Sequence, residues 1–312
     1  MIRVLFVGLG SIGQRHFRNL ADILCEQEAP FRFDAVRSTS RALPKDIEGR
    51  LEQQYASWQA VSGDYDLLFI ANPTALHYDT LLRLGNKAKK IFIEKPVFHD
   101  STLAVGALEL NPKSIYYVAC PMRYTTIIRF LRNYLQGKRV YSVRAMCSSY
   151  LPEWRPNQDY RQSYSAHRAE GGGVAIDLIH EWDYLIYLFG FPLHTTGYAG
   201  HFSALDIDSD DVSVYIGQYA DKVVSVYLDY FGRKARRELE LYLEDDVLLA
   251  DFIAGEVRWL RSGKIMSFPE ERDDYQKEEL RYFLHLDAKQ AENCGIRHAI
   301  QVLRIAEGKD IK

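Results

Sequence analysis

Three ionisable side chains stand close together near the middle of the chain. Asp177, His180 and Glu181 follow a triple glycine in the run GGGVAIDLIHEWDYLIYLFG. Their spacing of i, i+3 and i+4 predicts that they share one face of a single helix over residues 174–189, whose other positions are mostly apolar or aromatic. A helix that only packs in a core carries an uninterrupted apolar stripe, so an acid and an imidazole here indicate proton chemistry in a partly dry cleft. The alternative is a polar face that meets solvent or satisfied hydrogen bonds.

A second set of candidate functional residues lies at the start of the chain, where glycines recur in the pattern G-x-G-x-x-G. We predict that five residues of this loop contact a cofactor: Gly8, Gly10, Ser11, Ile12 and Gly13. The first glycine permits a tight turn, the second lets a pyrophosphate approach the backbone, and the third lets a helix and a strand pack closely. The amides that begin the next helix would face the anion. The pattern therefore predicts dinucleotide binding, against the alternative of a glycine-rich turn without a ligand.

The end of the second predicted strand bears on the choice of dinucleotide. A chain that prefers NAD places an acid there, about 20 residues beyond the glycine loop, to accept the ribose hydroxyls. Here Arg37 and Ser38 follow Val36 instead, and Asp34 stands too early, inside the strand. A guanidinium and hydroxyls match a 2′-phosphate in charge and hydrogen bonding, so we predict NADP(H). If Arg37 is a solvated cation stacked on adenine, NAD(H) is equally possible.

A segment just before the triple glycine is rich in aromatic and guanidinium groups. It runs LPEWRPNQDYRQSYSAHRAEGGG, and we predict substrate contacts from five of its residues: Trp154, Arg155, Tyr160, Arg161 and Tyr164. Aromatic rings offer apolar faces to a sugar ring, and arginines fork onto hydroxyls or phosphates. The segment therefore favours a sugar, in particular an anionic or nucleotide-linked one. The alternative is a surface loop packed down by its aromatic residues.

The elements that must position the glycine loop follow a βαβ period in the first third of the chain. Short apolar runs recur there with helical patterns between them: residues 2–7, 31–36, 67–71, 91–93 and 115–119. Such runs are typical of strands buried on both faces of a parallel sheet. We predict an α/β protein whose residues 1–120 form a Rossmann domain with a doubly wound parallel sheet.

From about residue 140 the pattern changes to alternating strands joined by short polar turns, which predicts an antiparallel sheet. The strands fall at residues 141–150, 211–218, 223–230, 238–243 and 247–252. Two helical patterns, residues 274–289 and 296–306, close the chain. We assign residues 121–312 to a second, α+β domain for substrate binding and oligomerisation, with a closing helix that could pack back on the first domain.

Composition excludes several classes of function. The 312 residues include 39 basic and 42 acidic side chains, a net charge of -3 without a basic stripe, so we expect no nucleic-acid partner. The four cysteines are widely separated and lack metal-ligand spacing, so we expect no metal site. We predict that they are reduced, buried thiols. With no apolar run near 18 residues and no cleavable leader, we expect a cytoplasmic protein without a membrane partner.

Four motifs, in this order, are similar to those of the Gfo/Idh/MocA oxidoreductases, the glucose-fructose oxidoreductase and inositol dehydrogenase family. They are the glycine loop, Ala71-Asn72-Pro73-Thr74 with His77, Glu94-Lys95-Pro96, and GGG-x-x-x-D. The resemblance spans nearly the whole chain and implies that the second domain has a large open, mostly antiparallel sheet, which in the family often joins homodimers or homotetramers. It also implies cofactor contacts from five more residues: Asn72, Pro73, His77, Glu94 and Lys95.

Carried over by position, Lys95 would be the catalytic lysine, hydrogen-bonding the reacting hydroxyl at the carboxyl end of a strand. The Lys95-Pro96 bond is a candidate for the cis form. Arg123 and Tyr124 resemble a family position near the nicotinamide end of the cleft, and they are further substrate candidates.

The central helix departs from the family pattern by one residue. The usual histidine stands four residues after the aspartate, whereas here His180 stands three after Asp177 and Glu181 takes the fourth place. We predict His180 as the proton carrier because an imidazole titrates near neutrality, with Asp177 orienting it. Glu181 is then a second substrate acceptor or a structural acid paired with a cation.

The resemblance implies an NAD(P)-dependent dehydrogenase or reductase that moves hydride between nicotinamide and the carbinol or carbonyl carbon of a sugar. One alternative is a nucleotide-binding sensor or scaffold without turnover, against which the intact set Lys95, Asp177 and His180 argues. A second alternative is a reductase of a non-sugar ring, of the dihydrodiol or linear-tetrapyrrole type, for which the arginines of the substrate segment would have no use.

Overall fold

The computed structural model describes residues 1–37 and 41–309, so Ser38, predicted to contact the cofactor, lies outside the described residues. The chain divides into two compact units. The first comprises Met1–Ala119 and Arg272–Ile300, and the second comprises Cys120–Glu271 together with the residues from Gln301 onward. The second unit is therefore interrupted in sequence by a segment that belongs to the first.

The described residues form helices and strands in the following order. The helices are α1 (Ser11–Glu26), α2 (Lys45–Glu48), α3 (His77–Leu84), α4 (Thr126–Tyr134), α5 (Val174–Asp177), α6 (His180–Phe189), α7 (Arg272–His285) and α8 (Ile296–Ala306). The strands are β1 (Ile2–Val7), β2 (Phe31–Val36), β3 (Leu51–Tyr55), β4 (Tyr65–Ile70), β5 (Ala88–Ile93), β6 (Ile115–Val118), β7 (Val140–Tyr150), β8 (His194–Gly200), β9 (Val212–Gln218), β10 (Val223–Asp229), β11 (Phe231–Leu243), β12 (Val247–Asp251), β13 (Glu256–Trp259) and β14 (Ile265–Ser267).

The first unit is built on a parallel sheet in the order β3-β2-β1-β4-β5-β6, which confirms the predicted doubly wound arrangement. The last three residues of each of the strands β1, β4 and β5 are buried, because their side chains are apolar on both faces of the sheet. Phe6, Phe69 and Phe92 have no exposed surface, and the Phe69 ring lies 4.9 Å from Phe6 and 5.1 Å from Phe92. This layer of rings supports the sheet edge at which the glycine loop begins.

Helix α7 packs along α1 in the first unit, and its charged residues recur at four-residue steps. Three ion pairs join the two helices: Arg15–Asp273 at 2.8 Å, Asp22–Lys277 at 2.8 Å and Glu26–Arg281 at 2.9 Å. Such partly exposed pairs contribute about 0–1 kcal/mol each, so the buried face of α7 does more. There Phe283 packs on the sheet, and Lys90 donates to the carbonyl oxygens of Leu284 and Leu286 at the end of the helix.

The second unit contains an eight-stranded sheet in the order β14-β13-β12-β11-β7-β10-β9-β8. All neighbours are antiparallel except β7 and β10, which confirms a large, mostly antiparallel sheet. Burial alternates along its strands: Ser213 and Tyr215 are buried, while Val214 and Ile216 are 36% and 46% exposed. Helices α5 and α6 contact the inward face. The opposite face of β9, which carries Val214 and Ile216, is open.

Two features of the described residues concern the exclusions made from composition. No helix among them is long and apolar enough to cross a membrane. Cys120, Cys147 and Cys294 are buried free thiols, but Cys25 is exposed, which corrects the expectation of four buried thiols. Cys25 lies on the same outward face of α1 as the exposed residues Arg18 and Asp22, so it does not reach the core.

Candidate active site

The glycine loop has the backbone geometry that its pattern predicts. Gly8 has a φ of 90°, and a Cβ placed on it would lie 2.6 Å from the amide nitrogen of Asn72. A Cβ on Gly13 would lie 2.3 Å from the carbonyl oxygen of Gly8. Both positions therefore exclude a side chain, the first because of the turn and the second because α1 packs so closely on the loop.

Gly10 differs from its two neighbours because its missing side chain leaves open space. Apart from Gly10 and its two chain neighbours, no described residue has an atom within 4 Å of the place that a Cβ on Gly10 would take. Gly10 caps α1 without a side-chain hydrogen bond, and Ser11, the first residue of the helix, is exposed. The amides that begin α1 thus border an open surface, as a pyrophosphate requires. The loop fits a dinucleotide, with Ile12 half-buried behind it.

Arg37 stands beside the glycine loop at the end of β2. The backbones are joined there, since the Gly8 amide donates to the carbonyl oxygen of Val36 at 3.3 Å. The Arg37 guanidinium donates to Gln54 Oε1 at 2.8 Å and to the carbonyl oxygen of Arg41. Both partners are neutral, so they orient the cation without offsetting its charge.

Asp34, the acid nearest to the end of β2, serves the core of the first unit. It has no exposed surface, and it accepts hydrogen bonds from the Tyr65 hydroxyl at 2.9 Å and from Arg32 Nε at 3.1 Å. Burial, and then hydrogen bonds with Tyr55 and Asp34, raise the pKa of Tyr65 above its ordinary range. Asp34 therefore has no oxygen directed at a ribose.

His77 connects two loops that follow strands of the parallel sheet. Its Nε2 lies 3.0 Å from the carbonyl oxygen of Asn72, and its Nδ1 lies 3.1 Å and 3.2 Å from those of Pro96 and Val97. The ring is 1% exposed, and burial lowers its pKa. Because both nitrogens face the backbone, His77 holds the two loops together, which favours a positioning role over direct contact with a cofactor.

Asn72 and Pro73 form the tip of the loop that follows β4. Asn72 donates through Nδ2 to Thr80 at 2.9 Å, and no described residue partners its buried Oδ1. Pro73 is exposed beside it. A buried acceptor without a protein partner is rare, so Oδ1 is available to a donor of a bound ligand.

Lys95 follows β5, and the structure has the Lys95-Pro96 peptide bond in the cis form. The preceding Glu94 points inward: Oε1 accepts from His16 of α1, and Oε2 accepts from the Lys95 amide at 3.1 Å. Burial alone would raise the pKa of Glu94, but His16 and then Lys95 outweigh it and hold that pKa below its usual range. Glu94 thus ties the backbone of Lys95 to the helix that begins at the glycine loop, while the Lys95 side chain is half-buried.

The triple glycine in the second unit forms a turn that side chains would prevent. Gly171 and Gly173 have φ angles of 82° and 130°. A Cβ on Gly172 would lie 2.2 Å from the carbonyl oxygen of Tyr164. The glycines therefore let the substrate segment lie directly on the turn that leads into α5.

Asp177, the last residue of α5, is held by a phenol and lies close to a second one. The Tyr230 hydroxyl donates to Asp177 Oδ2 at 2.6 Å, and the Tyr164 phenol lies near enough for the carboxylate to raise its pKa. Burial, and then the Asp177 charge, raise the pKa of both tyrosines, so they stay protonated. Asp177 itself is 5% exposed. Its carboxylate therefore has a fixed orientation.

The helix predicted over residues 174–189 is interrupted directly after Asp177, and this prediction was wrong. Leu178 has a φ of -98° and a ψ of 27°, and α6 begins only at His180. The Glu181 amide donates to the carbonyl oxygen of Leu178 at 3.2 Å, a step of three residues instead of four. Side chains three residues apart lie on the same side of such a tightened turn. This contracted turn, residues 178–181, separates Asp177 at the end of α5 from the first residues of α6.

Glu181 faces the core of the second unit. It has no exposed surface, and its oxygens accept from Arg237 Nε at 2.7 Å and Arg237 Nη2 at 3.3 Å. Burial alone would lower the pKa of Arg237, but Glu181 outweighs it and raises that pKa. The geometry favours the structural alternative for Glu181. His180 is half-buried, so the imidazole keeps the access that Glu181 lacks.

Arg123 also has a carboxylate partner inside the second unit. Its Nε and Nη2 donate to Asp183 at 2.9 Å and 2.6 Å, and its guanidinium lies 5.2 Å from the centre of the Tyr187 ring. Arg123 is 6% exposed. Its first role is therefore to anchor α6. Tyr124, half-buried, ends the short 3₁₀ turn that carries Arg123.

The two arginines predicted to bind substrate have different surroundings. Arg161 forks onto Asp159, with Nε at 2.9 Å and Nη2 at 2.7 Å, and this carboxylate raises its pKa. Arg155 instead lies over the Tyr164 ring, 5.6 Å from its centre. Both guanidinium groups are exposed. Among the described residues, no ion pair offsets the charge of Arg155, which lies next to the tyrosine whose pKa Asp177 raises.

The aromatic residues of the segment divide in the same way. Trp154 donates through Nε1 to Ser149 Oγ at 2.9 Å, and its ring meets Tyr230 edge-on at 5.3 Å, so it packs behind the site. The Tyr160 hydroxyl accepts a hydrogen bond from the backbone amide of Asp206 at 3.1 Å, which fixes the segment to a neighbouring loop. Tyr164 is 39% exposed and is the ring that a ligand could reach.

The predictions missed four residues that hold the site: His16, Asp183, Tyr230 and Arg237. One sequence signal for them exists, because Arg237 shares the inward parity of Leu239 and Leu241 on β11. A charge at an inward position of an alternating strand requires a buried partner. His16 and Tyr230 carry no such mark, since a histidine or tyrosine in an apolar element is ordinary.

Residues 2–112 match the model of a family described as "Oxidoreductase family, NAD-binding Rossmann fold". A curated relative, inositol 2-dehydrogenase of Rhizobium meliloti (strain 1021), is 24% identical over 194 residues, which cover 61% of this chain and 55% of that protein. The chain thus matches about half the length of that relative.

Solved structures with the same fold cover almost the whole chain. A levoglucosan dehydrogenase in complex with NADH and levoglucosan has a TM-score of 0.81 at 17% identity, covering 98% of this chain and 95% of that one. The WlbA dehydrogenase from Bordetella pertussis, in complex with NADH and UDP-GlcNAcA, has a TM-score of 0.76 at 17% identity, with 98% and 94% covered. At these identities the likeness establishes the fold.

Proposed function

Because this chain belongs to the Gfo/Idh/MocA oxidoreductase family, we propose that it is an NAD(P)-dependent dehydrogenase or reductase acting on a CH–OH group of a sugar. The observation that carries the proposal is the second unit's Asp177, buried and bonded to the Tyr230 hydroxyl at 2.6 Å, three residues before the half-buried His180. A protein that only binds a nucleotide needs the glycine loop but has no use for this arrangement.

The proposed proton chemistry assigns one role to each of three side chains. A bound nicotinamide supplies the hydride acceptor or donor. His180 takes the proton of the carbinol as it is oxidised, and it returns that proton in reduction. Asp177, held by the Tyr230 hydroxyl, orients the imidazole. Lys95 donates a hydrogen bond to the reacting oxygen and stabilises the negative charge that develops there.

For the cofactor, we propose NADP(H) in preference to NAD(H). Arg37 has neutral partners and adjoins the glycine loop, so its charge is available to a 2′-phosphate. Asp34, which would have to receive the ribose hydroxyls in an NAD-selective site, is buried on Tyr65 and Arg32. Two structural neighbours were solved in complex with NADH, but at 17% identity they do not carry a cofactor preference over to this chain. Its choice between NADP(H) and NAD(H) is therefore to be measured directly.

For the substrate, we propose an anionic sugar, of which a nucleotide-linked sugar is one form. The support is Arg155, whose exposed guanidinium stacks on Tyr164 while Arg161 is neutralised by Asp159. Because an arginine forks onto carboxylate or phosphate, the anionic group would lie on the side of Arg155. The complex of the WlbA dehydrogenase with UDP-GlcNAcA is in keeping with this class of substrate.

We also propose that copies of the chain associate through the open face of the large sheet, as a homodimer or homotetramer. Large apolar side chains stand outward there on neighbouring strands: Tyr198, Val214, Ile216 and Val223 are 36–63% exposed. Contiguous apolar surface of this kind marks interaction sites. Light scattering on the purified protein should give a mass of two or four chains, and Ile216→Glu should shift it to one.

The function is tested by mixing the purified protein with NADP⁺ or NAD⁺ and a panel of hexuronates, UDP-sugars, inositols and neutral hexoses. We expect the absorbance of reduced nicotinamide to appear with an anionic member of the panel and to vanish in Lys95→Ala. A protein that binds the cofactor in a separate titration, yet changes its redox state with no panel member, would favour the sensor alternative.

A further inference from the structure

Two arginines from different elements form ion pairs with carboxylates in the first turn of α6, which begins at His180. Arg237 of β11 forks onto Glu181, and Arg123, on the turn before α4, forks onto Asp183. Both carboxylates lie within three residues of the imidazole. The Glu181 side chain is fully buried, and those of Arg123, Asp183 and Arg237 are 6%, 15% and 23% exposed.

The start of α6 lacks the usual means of fixing a helix end. Ile179, in the cap position, gives no side-chain hydrogen bond, and the chain has just left α5 through the irregular Leu178. The Glu181 amide bonds to the carbonyl oxygen of Leu178 across the contracted turn, and no side chain in the cap position adds a second fixed point to this helix end. Carboxylates at this end interact favourably with the helix dipole, but only a fixed partner can give them a fixed place.

The Glu181 and Arg237 pair is embedded among groups that carry no charge near neutral pH. Burial, and then Glu181, raise the pKa of the Cys147 thiol to about 12, and burial raises that of Tyr184. Met122 Sδ lies 3.6 Å from Arg237 Nη1. A buried ion pair in such surroundings adds little to stability over apolar residues of the same volume, so stability does not explain its presence.

From these contacts we infer that Arg237 with Glu181, and Arg123 with Asp183, are positioning residues that set the imidazole of His180 after the contracted turn. This inference rests on the proposed function, in which His180 carries the proton. An error of about 1 Å in the place of such a group costs roughly 10²-fold in rate. The two pairs replace the continuous helix that would otherwise connect Asp177 to the histidine.

The test replaces the deeper pair as a unit, with Glu181→Leu and Arg237→Met in one chain, so that no unpaired charge stays buried. We expect an unfolding temperature close to that of the wild type, unchanged NADPH affinity, a kcat lowered about 10- to 100-fold and a KM changed less than threefold. The matched control is Arg236→Met with Glu238→Leu, an ion pair at 2.6 Å on the same strand whose arginine is exposed. This control should leave kcat unchanged.

A readout without turnover separates this inference from the proposed function. In protein with ¹³C-labelled histidine rings, the His180 signal is assigned by its loss in His180→Asn. We expect the signal to shift or broaden in the double variant and to stay in place in the control. Arg237→Lys, which keeps the charge but loses the fork, should lower kcat about fivefold and move the same signal.

Two outcomes would overturn the inference. One is a folded double variant with wild-type kcat and an unmoved His180 signal. If the double variant does not fold, an Arg237→Lys chain with wild-type kcat and an unmoved signal does the same. If the wild type itself shows no turnover, the proposed function fails, and the His180 signal still decides whether the ion pair positions the imidazole.

Discussion

The candidate cofactor site of the first unit and the candidate proton site of the second unit are built in different ways. In the first unit, the key groups are backbone amides and carbonyls, placed by Gly8, Gly10 and Gly13 at a strand end. In the second unit they are side chains, and Asp177 and Glu181 are each placed by residues more than 50 positions away in the chain. A site made of backbone depends on local sequence, whereas a site made of side chains depends on tertiary pairing. Their sensitivity to substitution should differ accordingly.

The largest effect should come from removing the proton carrier in the second unit. His180→Ala is expected to lower kcat by about 10²- to 10⁴-fold, the range for loss of a general base, because the carbinol proton then has no acceptor. NADPH affinity, measured by fluorescence titration, should be unchanged because the glycine loop lies in the first unit. If His180→Ala keeps activity while Glu181→Ala abolishes it without unfolding, the assignment to His180 is wrong.

The second effect concerns stability and contrasts a buried ion pair with an exposed one. Glu181→Ala leaves the Arg237 charge without its buried partner, and we expect it to lower the free energy of unfolding by about 3–5 kcal/mol. Glu238→Ala breaks the pair with exposed Arg236 and should change that free energy by about 0–1 kcal/mol. Urea unfolding of the three chains measures both. Equal losses would mean that Glu181 is not held as the structure has it.

The third effect concerns the glycine loop of the first unit, where the backbone forms the candidate cofactor site. Gly10→Ala adds a methyl group where the described residues leave open space, so the unfolding temperature of the protein without cofactor should not change. The methyl would block the approach of a pyrophosphate, and losing a charge-assisted hydrogen bond should raise the Kd of NADPH about 10- to 100-fold. Isothermal titration checks the affinity. A variant with wild-type Kd would place the pyrophosphate elsewhere.

The fourth effect tests the choice between NADP(H) and NAD(H) at the same candidate cofactor site. Arg37→Ser removes the cation that we assign to the 2′-phosphate, so the Kd of NADPH should rise about 10-fold or more while that of NADH stays within threefold. The comparison of the two cofactors is its own control. Equal weakening for both would mean that Arg37 stacks on adenine instead.

The smallest effect separates two arginines of the substrate segment. Arg155→Ala should raise the KM for an anionic sugar about 10-fold, because its charge has no carboxylate partner among its contacts with described residues. Arg161→Ala should change that KM less than twofold, since Asp159 already neutralises Arg161. Steady-state kinetics with an anionic sugar and its neutral analogue provide the comparison. Equal turnover of neutral cyclitols, with both variants unchanged, would end the anionic-sugar proposal.

The same difference explains what could be predicted from the sequence. The parallel sheet and the glycine loop follow from apolar runs and from glycines at fixed offsets, which are local signals, and the sheet order confirms that reading. Strands β3, β8, β13 and β14 were not predicted. The sequences LEQQY and HTTGYAG are mostly polar because they lie at sheet edges, and EVRW and IMS are too short for a pattern to stand out.

In the second unit, the pattern located the right stretch but not its shape. Spacing alone predicted one helix over residues 174–189, because nothing in DLIHEW marks the break at Leu178. The break depends on where Asp177 and Glu181 are held, and those partners, Tyr230 and Arg237, lie far along the chain. Tertiary contacts overrode helix periodicity there, as they commonly do at functional sites.

The central claim is that this chain moves hydride between nicotinamide and a sugar carbon with His180 as the proton carrier. It is tested most directly by supplying anionic sugars that carry deuterium on the carbinol carbons, with NADP⁺, and by mass spectrometry of the nicotinamide. The account predicts that the wild type transfers the label to the cofactor, and that His180→Ala binds the cofactor equally well but transfers none. A labelled cofactor at equal rate in His180→Ala, or a bound cofactor that the wild type never labels, would contradict it.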